Sequence, residues 1–408
     1  MQTYNKNIFH LHDIDKLVKK HTIEDNEKLL IQFFSAVADI DFIRSLQQYF
    51  QNNFPLATLI GTTSDGVIEK KKVYASDRSL VVFSLFDSTT LQSSILDHKD
   101  VYNDHFKAGH TMASNLITDK TKVLITFTDG INTNGEEYLK GVSSFAPNTI
   151  VSGGMAGDNG ALHKTYVFDK NHVTSDGAVA VTLDSDILEV TTSYSFDWMP
   201  IGKQLSVSKS VANRVYEIDG MTTVELYEKY LGEDIALLLP QLGIEFPLII
   251  ERNGLYTARA VLIKHDDGSL TFAGNILEGE LVRFGIGNVE TILRGGDSNL
   301  RGIVNKASNT IESFFIYSCM ARRRFMGNYI EKELAPFSDI APTTGFFTYG
   351  EFFHTNKKNL LLNESMSVLA LSEKKEPINV SINNTIAKQS HDTTDPIHVI
   401  SHLTNTIS

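Results

Sequence analysis

Twice along this chain a short apolar run, an amphipathic segment and a second apolar run end on a glycine followed by a carboxylate. The first passage is Val123 to Phe127, Glu136 to Phe145 and Thr149 to Val151, closing on Gly153-Gly154-Met155-Ala156-Gly157-Asp158. The second is Ser313 to Tyr317, Arg322 to Leu334 and Gly345 to Tyr349, closing on Gly350-Glu351. Short apolar runs bounded by turn residues read as buried strands, and apolar residues at three- and four-residue spacing read as helix. A strand, helix, strand rhythm constrains the chain to an α/β or α+β class, with mixed β-sheets flanked by helices. Its recurrence predicts two similar half-units facing one another.

The rest of the chain fits around these passages. Leu29, Leu30, Phe33, Val37, Ile43, Leu46 and Phe50 are spaced for one helix over 26–50. Leu56 to Ile60 and Leu80 to Phe86 read as strands, and 89–118 as mostly helical. Ser175-Asp-Gly177 predicts a hairpin pairing Thr165 to Phe168 with Ala178 to Leu183. Farther on, a helix is expected at 221–231, strands at 247–250, 258–263 and 271–273, and a helix at 289–306.

A length of 408 residues with 42% apolar content exceeds what one core usually organises, so two domains are expected. Pro200 and Gly202 break the apolar pattern and put the boundary near 185–205. The expected division is an N-terminal extension at 1–25, a first domain at 26–195, a second at 196–375 and a tail at 376–408. In the tail Ile397, Ile400, Leu403 and Ile407 form an amphipathic stripe. Such a helix would cover a domain, a second copy in a homodimer, or a downstream output domain.

Composition removes several classes of function. A net charge of −12 without basic runs leaves no footprint for nucleic acid. One cysteine, Cys319, can form neither an intrachain disulfide nor a cysteine-based zinc site. With no leader-like start and no apolar run near the ~20 residues of a membrane span, a soluble cytoplasmic protein is expected.

The glycines of Gly153 to Asp158 could present backbone N–H groups to a carboxylate or phosphate. The alternative is a tight strand-to-helix turn capped by Asp158. The loop lacks the order of a P-loop or a dinucleotide fingerprint. Tyr317-Ser-Cys-Met-Ala-Arg-Arg-Arg324 sits where a strand hands over to a helix, so Arg322 could meet a ligand carboxylate, whereas Arg323 and Arg324 read as a solvated helix end. Cys319 reads more readily as a packed small hydrophobe than as a reactive thiol, and no catalytic partner accompanies it. The expectation is a binding protein and not an enzyme, with a thiol-dependent enzyme using Cys319 as the rival.

These residues together resemble the FIST family. The N-terminal match runs through Phe54-Pro55, Gly61-Thr-Thr-Ser-Asp-Gly66 and Gly153 to Asp158. The C-terminal match runs through Asp267-Gly268-Ser269-Leu270, Glu278-Gly279, Tyr317 to Arg322, Gly345-Phe-Phe-Thr-Tyr-Gly-Glu351 and Asn363-Glu-Ser-Met366. The resemblance implies a sensory input that binds a small ligand such as an amino acid between FIST domains. It also implies relay to a signalling output of histidine kinase, diguanylate cyclase or chemoreceptor type. Ligand candidates are then Gly153 to Asp158, Cys319, Arg322, Tyr349, Gly350 and Glu351. Ser64-Asp65-Gly66-Val67 departs from the family pattern of Gly-Glu at this loop, which shifts the acidic group.

A bacterial subgroup of similar length binds haem and senses nitric oxide, so non-covalent haem is the alternative. Among 13 histidines, His354 beside Phe352 and Phe353 suits an axial ligand, and His265 precedes a polar turn. His398 and His402 share a helical face but lack the glutamate of a metalloprotease motif.

Overall fold

A computed structural model of the chain describes residues 1–377 except 76, 253 and 356. The expected amphipathic helix at 397–407, with His398 and His402, lies outside the described residues. Two compact units divide the described residues: 1–195 together with 295–377, and 196–294. Residues 196–375 are therefore split between two units rather than forming one body, with the crossing after Ser195 inside the expected boundary zone.

The first unit repeats one pattern three times. The first repeat is β1 (Gln2–Ile8), α1 (His12–His21), β2 (Leu29–Ser35), α2 (Ile40–Asn53), β3 (Thr58–Thr63), the hairpin β4 (Val67–Glu69) and β5 (Lys72–Tyr74), then β6 (Ser79–Leu85). The second is β7 (Thr90–Asp97), α3 (His105–Leu116), β8 (Thr121–Thr128), α4 (Gly135–Phe145), β9 (Ile150–Met155), the hairpin β10 (Val167–Asp169) and β11 (Val173–Thr174), then β12 (Gly177–Asp184). The third opens with β13 (Glu189–Ser195) and is interrupted by the second unit.

The second unit holds β14 (Met199–Val211), β15 (Arg214–Ile218), β16 (Met221–Thr222), α5 (Thr223–Leu231), α6 (Glu233–Leu237), β17 (Leu248–Arg252), β18 (Leu255–Arg259), β19 (Val261–Lys264), β20 (Leu270–Phe272) and β21 (Leu281–Ile286). They form one antiparallel sheet in the order β18-β17-β21-β14-β15-β20-β19, with β16 beside β15. Thr222 and Glu225 close a capping box at the start of α5. Leu226 and Tyr227 of that helix share a core with Leu205, Val215, Leu248 and Phe284. The single strand expected at 258–263 is broken at Ala260, and its halves lie at opposite ends of the sheet.

The chain continues through α7 (Val289–Lys306), within which the division at Gly295 falls. The third repeat then resumes as β22 (Ser313–Cys319), α8 (Met320–Met326), α9 (Ile330–Ser338), β23 (Thr343–Thr348), the hairpin β24 (Glu351–Thr355) and β25 (Lys358–Leu362), and β26 (Met366–Ser372).

Each repeat builds a sheet of four strands and lends its hairpin to another. The orders are β1-β6-β2-β3-β10-β11, β7-β12-β8-β9-β24-β25 and β13-β26-β22-β23-β4-β5. In all three the pair of third and fourth strands is parallel and every other pair antiparallel. The expected duplication is thus a triplication, whose first copy is masked in the sequence because the apolar residues of β2 continue into helical spacing. The borrowed hairpin covers the open edge of each sheet, which would otherwise invite strand pairing with other chains. It also explains why Thr165 to Phe168 does not pair with Ala178 to Leu183. Val167 instead meets Thr174 and Thr62, while β12 runs between β7 and β8.

The inward faces of the three sheets share one core, with Leu30 and Phe34 of β2, Ile125 and Phe127 of β8, and Phe315 and Tyr317 of β22. The outer face of the first sheet packs under α1 and α2 through Ile31, Phe33, Ile14, Ile43 and Phe50. Leu29 to Ser35 is therefore buried on both sides. Such a run has no period to separate it from a helix. The real helix start was marked by Asp39, whose carboxylate accepts from the N–H groups of Asp41 and Phe42. Likewise 89–118, read as mostly helical, opens with the strand β7.

Helices α3 and α4 cross at two glycines. A Cβ on Gly109 would stand 1.9 Å from the carbonyl oxygen of Tyr138, and one on Gly141 1.9 Å from that of Phe106. Backbone cannot yield to such contacts without separating the helices. Gly141→Ala is expected to cost about 1–3 kcal/mol by overpacking, read as a lower midpoint in urea. A loss under ~0.5 kcal/mol would mean that the helices part freely.

Candidate functional site

The three repeats end their third strands alike. Asp65 follows β3, Asp158 follows β9 and Glu351 follows β23, each two or three residues beyond the strand. Backbone hydrogen bonds hold these loops together. Met155 N–H donates to Gly350 O at 2.8 Å, Tyr349 N–H to Met155 O at 3.1 Å, Gly157 N–H to Thr63 O at 3.0 Å and Asp65 N–H to Phe347 O at 2.9 Å. Two motifs far apart in sequence, Gly153 to Asp158 and Gly345 to Glu351, are thereby brought into direct contact.

This contact removes the chemistry expected of the glycine loop. Ala156 N–H donates to Thr128 O at 2.8 Å, so the amides of Met155, Ala156 and Gly157 are all engaged within the protein. Gly153 has φ of +127°, and a Cβ there would lie 2.0 Å from Thr126 O. Gly154 sits opposite Glu351 in the ladder. These glycines serve close backbone approach and left-handed geometry, not anion binding.

Nor does a helix follow for Asp158 to cap. Its carboxylate instead gathers a loop, accepting from the N–H groups of Leu162 at 2.9 Å, His163 at 2.7 Å and Lys164 at 2.9 Å. The Tyr349 hydroxyl donates to Asp158 Oδ1 and accepts from the N–H groups of Asp158 at 3.1 Å and Gly160 at 2.9 Å. Burial, and then the Asp158 carboxylate, push the Tyr349 phenol pKa upward, so it remains a donor.

The arginine run divides differently from the expectation. Arg322 is fully buried and bonded to Glu333 at 2.6 Å, with Ser195 Oγ at 3.0 Å and Glu364 O at 3.4 Å. It is a structural ion pair and does not face a ligand. Arg323 and Arg324 reach Asp65 at 2.5 and 3.3 Å, and Arg324 also donates to Asn159 O at 3.1 Å. Asp65 is fully buried, so the acid displaced from the family position has found two guanidiniums. The Nε of Arg323 is buried without a hydrogen-bond partner. Leaving such a donor unmet costs about 1–3 kcal/mol, which an acceptor bound there would relieve.

Cys319 lies at the end of β22, 4% exposed. Burial raises its thiol pKa well above the ordinary value, and Glu351 and Glu364 add to the rise. That opposes thiolate chemistry. Glu351 is fully buried and accepts from the hydroxyls of Thr348 and of Ser365, the latter at 2.7 Å. Burial still pushes its carboxyl up to about 8, against those hydrogen bonds and the Arg322 charge. Glu364 is raised well above its ordinary value by burial and then by Glu351.

His354 belongs to the hairpin strand β24, and its Nδ1 lies 2.7 Å from Asn359 Oδ1. Successive strand residues face opposite ways. Phe352 accordingly stacks on Tyr138, and Phe353 meets Tyr194. The two rings do not flank the imidazole as a porphyrin slot would require, so the surroundings of His354 do not fit haem. His265 is held by Thr271 Oγ1 at 2.8 Å.

Arg323 and Arg324, expected as a solvated helix end, thus meet buried Asp65, which the motif marks only as a departure, and Glu333 carries no sequence signal of its own. The usable signal was the third copy of the strand-end acid.

Residues 28–221 match the FIST N domain and residues 223–354 the FIST C domain. The chain is 23% identical over 283 residues to an uncharacterized protein, MJ1623, of Methanocaldococcus jannaschii, covering 62% of this chain and 53% of that protein. It thus spans about half the length of this curated relative. Cyanuric acid hydrolase from A. caulinodans has 7% identity, a TM-score of 0.38 and coverage of 91% of this chain and 99% of its own. A chorismatase has 10% identity, a TM-score of 0.31 and coverage of 90% and 98%. Both scores are too low to transfer fold or chemistry.

Proposed function

The chain belongs to the FIST family, whose domains are sensory, and from that premise we propose that it senses a small zwitterion of amino-acid type at Asp65, Asp158, Arg323, Arg324 and Tyr349. The observation that carries this reading is the Arg323 Nε, which is buried without a hydrogen-bond partner. Two carboxylates and two guanidiniums balance one another, so a ligand bearing one charge of each sign adds no net charge. The Arg323 fork suits the ligand carboxylate, and the acids suit its ammonium group. The protein acts as an input component and does not turn its ligand over.

For binding to become a signal, the ligand must favour one conformation over another, because equal affinity for both shifts nothing. The change then passes to a signalling output of kinase, cyclase or chemoreceptor type, and the protein works in the cytoplasm.

Thermal unfolding with a panel of amino acids, followed by calorimetry on those that raise the midpoint, tests the reading. Arg323→Ala is expected to weaken binding at least ~10-fold, equivalent to about 1.4 kcal/mol, and to lower the unliganded midpoint because buried Asp65 loses one of its two guanidiniums, so binding is compared by calorimetry at a temperature where both proteins are folded. Binding that survives this variant intact would place the ligand elsewhere, and no response across the panel would remove amino acids as ligands.

A further inference from the structure

Where the three sheets of the first unit share a core, two of them turn polar side chains inward. Successive strand residues face opposite ways. Thr3 therefore follows Met1 on the inward side of β1, Gln32 lies between Leu30 and Phe34 of β2, and Ser84 follows Leu80 and Val82 of β6. In the third repeat Tyr317 of β22 belongs to the same core, Thr344 lies two residues before Phe346 of β23, and Ser367 two before Leu369 of β26. All six side chains are buried, none more than 9% exposed. Both polar atoms of Gln32, the Tyr317 hydroxyl and the hydroxyls of Thr3, Ser84, Thr344 and Ser367 have no hydrogen-bond partner.

The ladders set these groups side by side. Ser84 stands opposite Thr3 on one side and Leu30 on the other, one inward-facing position from Gln32. Tyr317 stands opposite Ser367, and Thr344 opposite Phe315. The two rows also meet across the core. Phe34, the inward neighbour of Gln32, stacks at 4.8 Å between centroids on Phe346, the cross-strand neighbour of Tyr317. Asn5 Nδ2 donates to Thr343 O at 3.2 Å and ties β1 to the start of β23.

The second sheet meets these walls with apolar side chains, Ile125 and Phe127 of β8 and Val179 and Val181 of β12. Phe127 closes on Phe34 and Phe346 at 5.8 and 5.4 Å between centroids. Each unmet polar atom in such surroundings is costly, and native interiors meet nearly all of them with protein groups or bound water. A group of them on facing walls points to an occupant. A charged occupant would be desolvated without a counter-charge, because none of the six side chains is ionised. Burial pushes the Tyr317 phenol upward, so it keeps its proton. An apolar occupant would leave the same atoms unmet. What remains is small, uncharged and able both to donate and to accept, as one amide and five hydroxyls require.

We propose that the inward walls of the first and third sheets bind an uncharged hydrogen-bonding guest, with Gln32 and Tyr317 as its principal contacts. Two sources share this chemistry: about two or three waters, each making ~3 hydrogen bonds, or one small amide or polyol. The site lies among the strands, whereas Asp65 and Arg323 lie beyond the strand ends, so it stands or falls independently of amino-acid sensing.

Tyr317→Phe and Gln32→Met nearly keep side-chain volume and remove the polar groups. With a guest bonded to them, each variant is expected to lower the thermal midpoint of the full chain by several degrees. In a dry interior each removes an unmet group and raises the midpoint, and a rise in both would overturn the proposal. Two measurements on the wild-type chain identify the guest. Mass spectrometry of the acid-denatured protein that finds one equivalent of an organic molecule, depleted in both variants, supports the proposal and assigns a solute. Oxygen-17 water relaxation dispersion that finds long-lived internal waters, fewer in both variants and with no organic equivalent, supports it and assigns water. Wild-type protein with neither an organic equivalent nor long-lived waters would overturn it, whether or not the variants fold.

Discussion

Raising the pH from 5 to 8 is expected to weaken the fold by a few kcal/mol, and Glu351→Gln is expected to abolish much of that loss. Glu351 is buried without a directly bonded cation, and its carboxyl is pushed from an ordinary 4.5 up to about 8. In this window the folded chain holds a proton that the unfolded chain releases, so stability falls as pH rises. The favourable contribution is complete below 4.5 and spent once pH passes about 8. At about 1.4 kcal/mol per pH unit, the full window amounts to on the order of 4 kcal/mol. Glu364 is shifted in the same direction and leaves a residual slope in the variant. Urea unfolding of both proteins at several pH values gives the comparison. Parallel pH profiles would show that Glu351 is ionised in the folded state.

Arg322→Met is expected to destabilise by about 3–5 kcal/mol, the usual cost of stranding one partner of a buried ion pair. Both side chains are fully buried, so the Glu333 carboxylate would be left without its cation. Arg322→Met with Glu333→Leu should recover most of the loss, because apolar groups of similar volume carry no desolvation penalty. A double-mutant cycle separates the two effects. A single-variant cost under ~1 kcal/mol would mean that water reaches the pair.

Much of the third repeat was legible from its residues. The helix expected at 289–306 coincides with α7, and β22 and β23 lie where apolar runs bounded by turns placed them. β2 was not, because a strand buried on both faces carries no period, and the Asp39 cap was the better guide to the next helix. The exchanged hairpins were beyond reach too. Residues such as Val167 read as strand whatever sheet they join, and local pattern holds no record of a partner.

The site divides along the same line. The strand-end acids and their glycines were visible as a recurring motif, and family membership followed from their order. The roles of the individual residues were not visible. In Arg322-Arg323-Arg324 three identical side chains leave one short helix, and only its seating decides that the first is buried on Glu333 while the others meet Asp65. The same holds for Gly153 to Gly157, whose amides could have served a ligand until the neighbouring strands claimed them. Sequence by itself determined the α/β class, the elements of the later repeats and the family they compose, because periodicity, caps and turn chemistry are local. Tertiary structure alone decided the threefold exchange, the burial of Glu351 and which arginine pairs with Glu333 and which with Asp65, because burial and partner distance are properties of the packed chain.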